Sequence, residues 1–148
     1  PARQLEVEVT ESAIIADRNQ TSLVLQRLKN AGINIALDDF GTGYSSLSYL
    51  NSLPLTKVKV DRSFVQDITN DRRSLMLLRG VTQLSHELGL AVTVEGVETE
   101  EQLALVRVAA GADLVQGYLL GKPVPATEIR TSSAKAVVPH DDGRTFAQ

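Results

Sequence analysis

The sequence contains no cysteine and only two histidines among its 148 residues. Without cysteine the chain can form neither a disulfide framework nor a thiolate metal site. A metal bound here would be held by carboxylate, histidine or amide groups, and oxygen ligands favour Mg²⁺ or Mn²⁺. Neither histidine is a good ligand candidate, because His86 lies among polar residues of a predicted helix and His140 lies near the C-terminus.

The chain also lacks an excess of basic charge and any long apolar run. Its formal net charge is −3, so it has no basic surface of the kind that duplex nucleic acid requires. No segment approaches the roughly 20 apolar residues of a membrane span, and residues 1–4 do not resemble a signal peptide. We therefore expect a cytoplasmic domain with no duplex nucleic-acid partner and no membrane contact by this segment.

Strand-like and helix-like stretches alternate along the chain, and 43% hydrophobic residues are enough for one core. The predicted strands are Leu5–Thr10, Ile33–Leu37, Lys57–Val60, Ala91–Val94 and Leu114–Val115. Predicted helices run near Thr21–Ala31, over about Arg73–Leu88, and from a capping box at Thr99 and Gln102 to Gly111. Each helix ends on a glycine and leads into a short apolar strand, which predicts repeated βα units and a parallel sheet, open or closed.

Two adjacent carboxylates, Asp38 and Asp39, end an apolar strand and precede the glycine-rich segment 41–46. Neighbouring carboxylates repel each other unless a cation or a proton neutralises them. The pair therefore predicts a divalent metal site, with a capping or turn aspartate as the alternative.

Polar residues recur on one face of the predicted strands, because side chains alternate between the two faces. The residues expected to meet at the carboxyl ends of the strands are Glu8, Asp38, Lys59, Glu95 and Gln116. Each also has a structural explanation: strand lysines protect sheet edges, and acidic residues favour helix N-termini. Their recurrence on successive strands favours a shared site at the mouth of a barrel, where barrel enzymes place their active sites.

Five sequence blocks, in order, resemble the signature blocks of the EAL family of cyclic-di-GMP phosphodiesterases. They are Leu5–Ser12, Asp38–Leu47, Lys57–Val65, Glu95–Thr99 and Gln116–Leu119. The resemblance covers about residues 3–129 and implies a modified TIM barrel that hydrolyses one phosphodiester bond of cyclic di-GMP to give the linear dinucleotide pGpG.

The resemblance also implies a role for each matching residue. It implies a site of two Mg²⁺ or Mn²⁺ ions, with the ligands Glu8, Asp38, Asp39 and Glu95. It implies catalytic roles for Lys59 and Glu95 and substrate contacts by Asp61 and Gln116. It also implies that Glu11 anchors the loop after Asp39. A homodimer contact near Tyr44–Leu53 is expected on the same ground.

The family's Glu-Ala-Leu block, and the following strand with an asparagine ligand, have no counterpart in this sequence. Because a complete barrel needs about 250 residues, we expect residues 1–130 to be the C-terminal portion of an EAL domain, with 131–148 as a flexible tail. Upstream sensory domains are expected in the parent protein. Three functions stay open: an active phosphodiesterase, a cyclic-di-GMP receptor without activity, and an inactive dimerisation or interaction fragment, including a domain-swapped assembly. An unrelated sugar-phosphate barrel would not explain the paired aspartates together with the strand lysine.

Overall fold

A computed structural model describes residues 1–42 and 48–125, apart from the side chains of residues 48 and 49. Five parallel strands form one sheet in chain order. They are β1 (Glu6–Thr10), β2 (Asn34–Phe40), β3 (Lys57–Val60), β4 (Ala91–Val94) and β5 (Leu114–Val115). The prediction of an α/β fold with five parallel strands is confirmed, and the predicted tail at 131–148 lies outside the described residues.

The helices lie between the strands. They are α1 (Glu11–Ala16), α2 (Arg18–Asn30), α3 (Ser48–Ser52), α4 (Arg72–Glu87) and α5 (Glu100–Ala104), which continues as a π-helical stretch at Leu105–Ala110. Two short 3-10 turns occur at Ala2–Gln4 and Arg62–Phe64. Within the described part of the chain, no helix is long and apolar enough to cross a membrane.

Side-chain caps explain where the predicted helices begin. The capping box of Thr99 and Gln102 is present as expected. The helix predicted from Thr21 begins at Arg18, because Asp17 accepts a hydrogen bond from the Gln20 amide at 3.0 Å. Sequence reasoning missed α1, which is only six residues long and begins directly after β1.

Three helical segments end next to a glycine in the left-handed conformation, as predicted. The φ angles are +81° at Gly32, +74° at Gly89 and +73° at Gly111. Residues with a Cβ adopt this conformation at a cost, so these glycines allow the chain to leave each helix and enter the next strand.

Two glycines of similar surroundings predict opposite effects of alanine substitution. A Cβ at Gly80, inside α4, or at Gly89 would meet no atom within 4 Å, but only Gly89 has a positive φ. We expect Gly80→Ala to raise the free energy of unfolding by about 0.5–1 kcal/mol and Gly89→Ala to lower it by about 1 kcal/mol. Urea denaturation followed by circular dichroism measures both changes, and a stabilising Gly89→Ala would contradict the assignment of that cap.

The hydrophobic core lies between one face of the sheet and the helices. Val58 and Val60 of β3 and Val92 and Val94 of β4 are fully buried, and Leu78 of α4 belongs to the same cluster. Because side chains alternate along a strand, burying these valines turns the lysines of β3 to the opposite face. The core therefore determines which face of the sheet carries the polar residues.

The second strand is longer than predicted. The expected strand ended at Leu37, whereas β2 continues through Asp38 and Asp39 to Phe40. Its pairing with β3 is irregular between Leu37 and Phe40, and Asp39 has a φ of +54°. This left-handed backbone is uncommon in a residue other than glycine. The irregularity leaves Asp38 half-buried and Asp39 exposed, so the two neighbouring carboxylates have different environments.

Candidate active site

Three carboxylates surround one lysine on the polar face of the sheet. Lys59 Nζ lies 2.8 Å from Glu8 Oε1, 2.9 Å from Asp38 Oδ1 and 2.8 Å from Glu95 Oε1. We call these four residues the Lys59 cluster. The lysine side chain is only 10% exposed. The structure thus brings together four of the five residues that strand alternation predicted to converge.

The parallel sheet explains why residues far apart in sequence meet. Glu8 lies on β1, Asp38 on β2 and Lys59 on β3, while Glu95 follows β4 directly. In a parallel sheet the carboxyl ends of all strands lie at one edge, so residues at these ends become neighbours. A second ion pair, 2.6 Å long, joins Lys57 to Glu6, two residues earlier on the same two strands that carry Lys59 and Glu8.

The electrostatics of the Lys59 cluster keep the ammonium charged. Burial lowers the pKa of Lys59, but hydrogen bonds to Glu8 and Glu95 and the contact with Asp38 raise it more strongly. The net result is a pKa above the usual value for lysine. Three carboxylates around one ammonium leave a net negative charge, which suits the approach of a further cation.

The donor types of the Lys59 cluster fit a hard divalent cation. Asp38 Oδ1 is buried and lies 2.9 Å from Lys59 Nζ. Carboxylate oxygens of this kind suit Mg²⁺ and Mn²⁺. Across residues 1–42 and 48–125, however, no group of three or more histidine or acidic side chains has the spacing of a metal cage. The cation that these carboxylates hold in the structure is the ammonium of Lys59.

Four predicted site residues lie outside the Lys59 cluster: Asp39, Gln116, Asp61 and Glu11. Asp39 is exposed, and among the described residues it is not an ion-pair partner of Lys59. Gln116 is also exposed, and its backbone pairs with the end of β4 and the residues after it: its amide donates to Val94 O at 2.9 Å and its carbonyl accepts from the Val97 amide at 3.2 Å. Both residues lie at the carboxyl ends of strands, on the rim of the candidate site.

Asp61 has a structural role that the sequence did not suggest. Its Oδ1 accepts a hydrogen bond from the Ser63 amide at 2.9 Å and so caps the 3-10 turn Arg62–Phe64. Burial raises the pKa of Asp61, but the hydrogen bonds from Ser63 and from the Arg62 backbone, and the charge of Arg62, lower it below the usual value. The Asp-x-Ser spacing is the sequence signal for such a cap. A substrate contact by Asp61 stays a prediction.

Glu11 lies where an anchor for the loop after Asp39 would lie. It is the first residue of α1, it is 5% exposed, and its Oε1 accepts a hydrogen bond from the Gly41 amide at 3.4 Å. Residues 43–47 of that loop, and therefore much of the expected dimer contact at Tyr44–Leu53, lie outside the described residues. The anchoring role and the dimer contact both stay predictions.

Sequence reasoning missed three close approaches between the strand ends. A Cβ built at Gly41 would overlap the ring of Phe64, and one built at Gly96 would overlap Arg62. A Cβ at Gly117 would overlap the Val97 backbone. The only sequence signal is a glycine shortly after Asp38-Asp39, after Glu95 and after Gln116. These glycines let neighbouring segments pack tightly beside the Lys59 cluster.

His86, expected to be a surface histidine, is half-buried. Its Nε2 lies 2.7 Å from Asp113 Oδ2, and the same oxygen accepts the Val92 amide at 2.7 Å. This pair links the end of α4 to the segment before β5, away from the Lys59 cluster.

A family model of the EAL domain matches residues 1–123. The chain belongs to the EAL domain family. The match spans all five strands and every residue of the Lys59 cluster, so the sequence-based recognition of the family is confirmed.

Named relatives and solved structures agree with this assignment. The chain is 47% identical over 121 residues to the cyclic di-GMP phosphodiesterase NbdA of Pseudomonas aeruginosa, covering 82% of this chain and 15% of that protein. It superposes on the structure of the PaMucR phosphodiesterase in complex with c-di-GMP, with a TM-score of 0.80 and 38% identity, covering 87% of this chain and 52% of that one. It also superposes on a manganese and cyclic-di-GMP complex of Klebsiella pneumoniae BlrP1, with a TM-score of 0.77 and 38% identity, covering 82% and 31%.

The chain covers only part of the length of these proteins. It spans about half of the MucR phosphodiesterase structure and about one seventh of NbdA. The five strands are therefore one part of a TIM-barrel-like EAL fold, and the predicted fold class is confirmed.

Proposed function

We propose that the EAL domain to which this chain contributes is a metal-dependent phosphodiesterase that hydrolyses cyclic di-GMP to linear pGpG in second-messenger signalling. The observation that carries the proposal is the convergence of Glu8, Asp38 and Glu95 on Lys59 at the carboxyl ends of parallel strands. A relative that is a cyclic di-GMP phosphodiesterase and another in complex with c-di-GMP support the substrate, and the manganese complex of a relative supports a divalent metal.

The proposed metal ligands are Glu8, Asp38, Asp39 and Glu95, with Mg²⁺ or Mn²⁺ as the ions. Such ions, when bound, supply a hydroxide nucleophile at neutral pH and neutralise phosphate charge. The oxygen of one water forms a bond to phosphorus, one ester P–O bond breaks, and the released ribose oxygen takes up a proton to replace the one that the water has lost.

The other residues of this chain act on the substrate directly. Lys59, charged at neutral pH, donates a hydrogen bond to the phosphate oxygens as negative charge develops on them, which lowers the barrier most in a site partly shielded from water. Asp61 and Gln116, on the rim, contact the nucleotide. Asp61 does so from a turn that its own carboxylate caps.

We also propose where the domain works, what it is joined to and how it assembles. Residues 1–130 form the C-terminal portion of the EAL domain, and 131–148 form a tail. The domain works in the cytoplasm, joined to upstream sensory domains, as a homodimer or a domain-swapped assembly. In the described sheet, β1 and β5 are the edge strands, which favours completion by further strands of the same domain or by a second copy.

Hydrolysis by this chain is tested with Glu95→Gln and, as a matched control, Glu98→Gln. Glu98 is exposed three residues after Glu95 and outside the Lys59 cluster. The purified chain is incubated with cyclic di-GMP and Mn²⁺ or Mg²⁺, and products are resolved by chromatography. We expect pGpG to form only with metal, to fall at least about 100-fold in Glu95→Gln, and to stay within about twofold in Glu98→Gln.

The same samples distinguish the alternatives. A folded chain that binds cyclic di-GMP in calorimetry without forming product would be a receptor and not an enzyme. A folded chain that neither binds nor hydrolyses it would contradict the proposed function for this 148-residue segment and favour an interaction fragment.

A further inference from the structure

The 3-10 turn Arg62–Phe64 lies between the two strand ends that carry the acidic residues of the candidate site. It follows β3, the strand of Lys59, with only Asp61 between. Backbone hydrogen bonds just before the turn connect β3 to the ends of β2 and β4. The Asp61 amide donates to Phe40 O at 3.4 Å, and the Glu95 amide donates to Val60 O at 3.0 Å. A displacement of this turn would therefore change the separation of the ends of β2 and β4.

On the β2 side, the turn contacts Gly41 through the ring of Phe64. Gly41 has a φ of +100°, and a Cβ at this position would overlap the Cε2 and Cζ atoms of that ring. Phe64 is half-buried and packs against the hydrophobic core on its other side. The ring is thus a rigid spacer between the core and the backbone two residues after Asp39.

Gly41 is also held by Glu11. The carboxylate of Glu11 accepts its amide hydrogen at 3.4 Å. A hydrogen bond of this length alone would allow the glycine backbone to move. The Phe64 ring occupies the space next to Gly41 and so restricts this movement. The strained left-handed backbone of Asp39, with φ of +54°, persists only where its surroundings determine it strongly.

On the β4 side, the same turn contacts Gly96. This glycine has a φ of +74° and directly follows Glu95, and a Cβ there would overlap Cβ and Cα of Arg62. The turn is itself rigid, since Asp61 caps it and the Val65 amide donates to Arg62 O at 2.9 Å. One short turn therefore contacts the chain next to Asp38-Asp39 and next to Glu95.

We propose that Phe64 is a positioning residue for the candidate site: its ring fixes Gly41 and thereby the end of β2 that carries Asp39 and presents Asp38 to Lys59. The inference deepens the proposed function and rests on it for its catalytic meaning. The positioning itself is a property of the folded chain and is measurable without substrate.

The test compares Phe64→Ala and Phe64→Leu with Leu28→Ala. Leu28, on α2, is half-buried against the same core but distant in sequence and element from the candidate site, so it reproduces a general loss of packing. Amide hydrogen exchange is measured by NMR for Gly41 and for Asp113, whose amide donates to Val92 O in a different part of the sheet. We expect Phe64→Ala to raise the exchange rate of Gly41 about tenfold more than that of Asp113, and Leu28→Ala to change both amides by the same factor.

Mn²⁺ affinity measured by calorimetry provides the second readout. We expect Phe64→Ala to weaken Mn²⁺ binding about tenfold, Phe64→Leu to restore most of it, and Leu28→Ala to leave it unchanged. If the Gly41 amide exchanges its hydrogen at the same rate in Phe64→Ala and Leu28→Ala, the positioning role of Phe64 is wrong, even if the enzyme is active. A selective change at Gly41 in a chain that binds no Mn²⁺ would uphold the positioning role and contradict the proposed function instead.

Discussion

Lys59→Met is expected to reduce cyclic-di-GMP hydrolysis at least about 100-fold and to lower the free energy of unfolding by about 1–3 kcal/mol. Methionine keeps the length and most of the volume of the side chain but removes the charge. Glu8, Asp38 and Glu95 would then face one another without the ammonium that now lies within 2.9 Å of each. We expect a smaller loss of stability than for a fully buried ion pair, because these carboxylates are 21–47% exposed.

The matched control is Lys57→Met, two residues earlier on the same strand and the same face. Among the residues that the structure describes, Lys57 forms an ion pair with Glu6 alone, at 2.6 Å, and both side chains are partly exposed. We expect this variant to lose less than about 1 kcal/mol and to keep its activity within a few-fold. Equal losses of activity in the two variants would show that Lys59 acts through the general charge of β3 and not through the Lys59 cluster.

The pH dependence of this stabilisation follows from the raised pKa of Lys59. A group whose pKa is higher in the folded state stabilises that state fully below its unfolded pKa, which is about 10.4 for lysine. The stabilisation is lost as the pH rises through the higher folded value. From neutral pH up to about pH 9, the difference in stability between the wild-type chain and Lys59→Met should therefore be constant, which urea denaturation at several pH values measures.

The sequence predicts the Lys59 cluster because alternation along a strand is a simple rule. Apolar residues such as Val58 and Val60 must be buried, so Lys59 must lie on the opposite face. The parallel direction of the strands, predicted from glycine-terminated helices, then places Asp38 and Glu95 at the same edge. Neither step depends on the details of packing, which is why the structure agrees with the prediction.

The environment of Asp39 could not be predicted in the same way. Alternation predicts which face a residue occupies only while the strand stays regular, and the pairing of β2 with β3 becomes irregular after Leu37. Asp39 has a left-handed backbone, and two residues later Gly41 contacts Glu11 and Phe64, which lie far away in sequence. The capping role of Asp61 was missed for a different reason, since the Asp-x-Ser signal is local but too common to be decisive.

Gly117→Ala is expected to have the largest effect of any glycine substitution in the described part of the chain. A Cβ at this position would overlap the oxygen, nitrogen and carbonyl carbon of Val97, which are backbone atoms. A flexible side chain can rotate away from a new methyl group, but backbone fixed by hydrogen bonds cannot. Here the Val97 amide donates to Gln116 O at 3.2 Å and the Leu119 amide donates to Val97 O at 3.1 Å.

The methyl group of alanine would therefore force the segment after β5 away from Val97 and weaken both hydrogen bonds. Overpacking against rigid surroundings and the loss of these bonds together predict a decrease of about 3 kcal/mol or more in the free energy of unfolding. The control is Gly121→Ala, where a Cβ would meet no atom within 4 Å and the change should stay within about 0.5 kcal/mol. Thermal and urea denaturation followed by circular dichroism compare the two variants. If Gly117→Ala is too unstable to purify while Gly121→Ala is not, the prediction holds. Equal stability of the two variants would contradict it. That result would show that the segment after β5 is free to move away from Val97 and that this contact does not hold Gln116 in place.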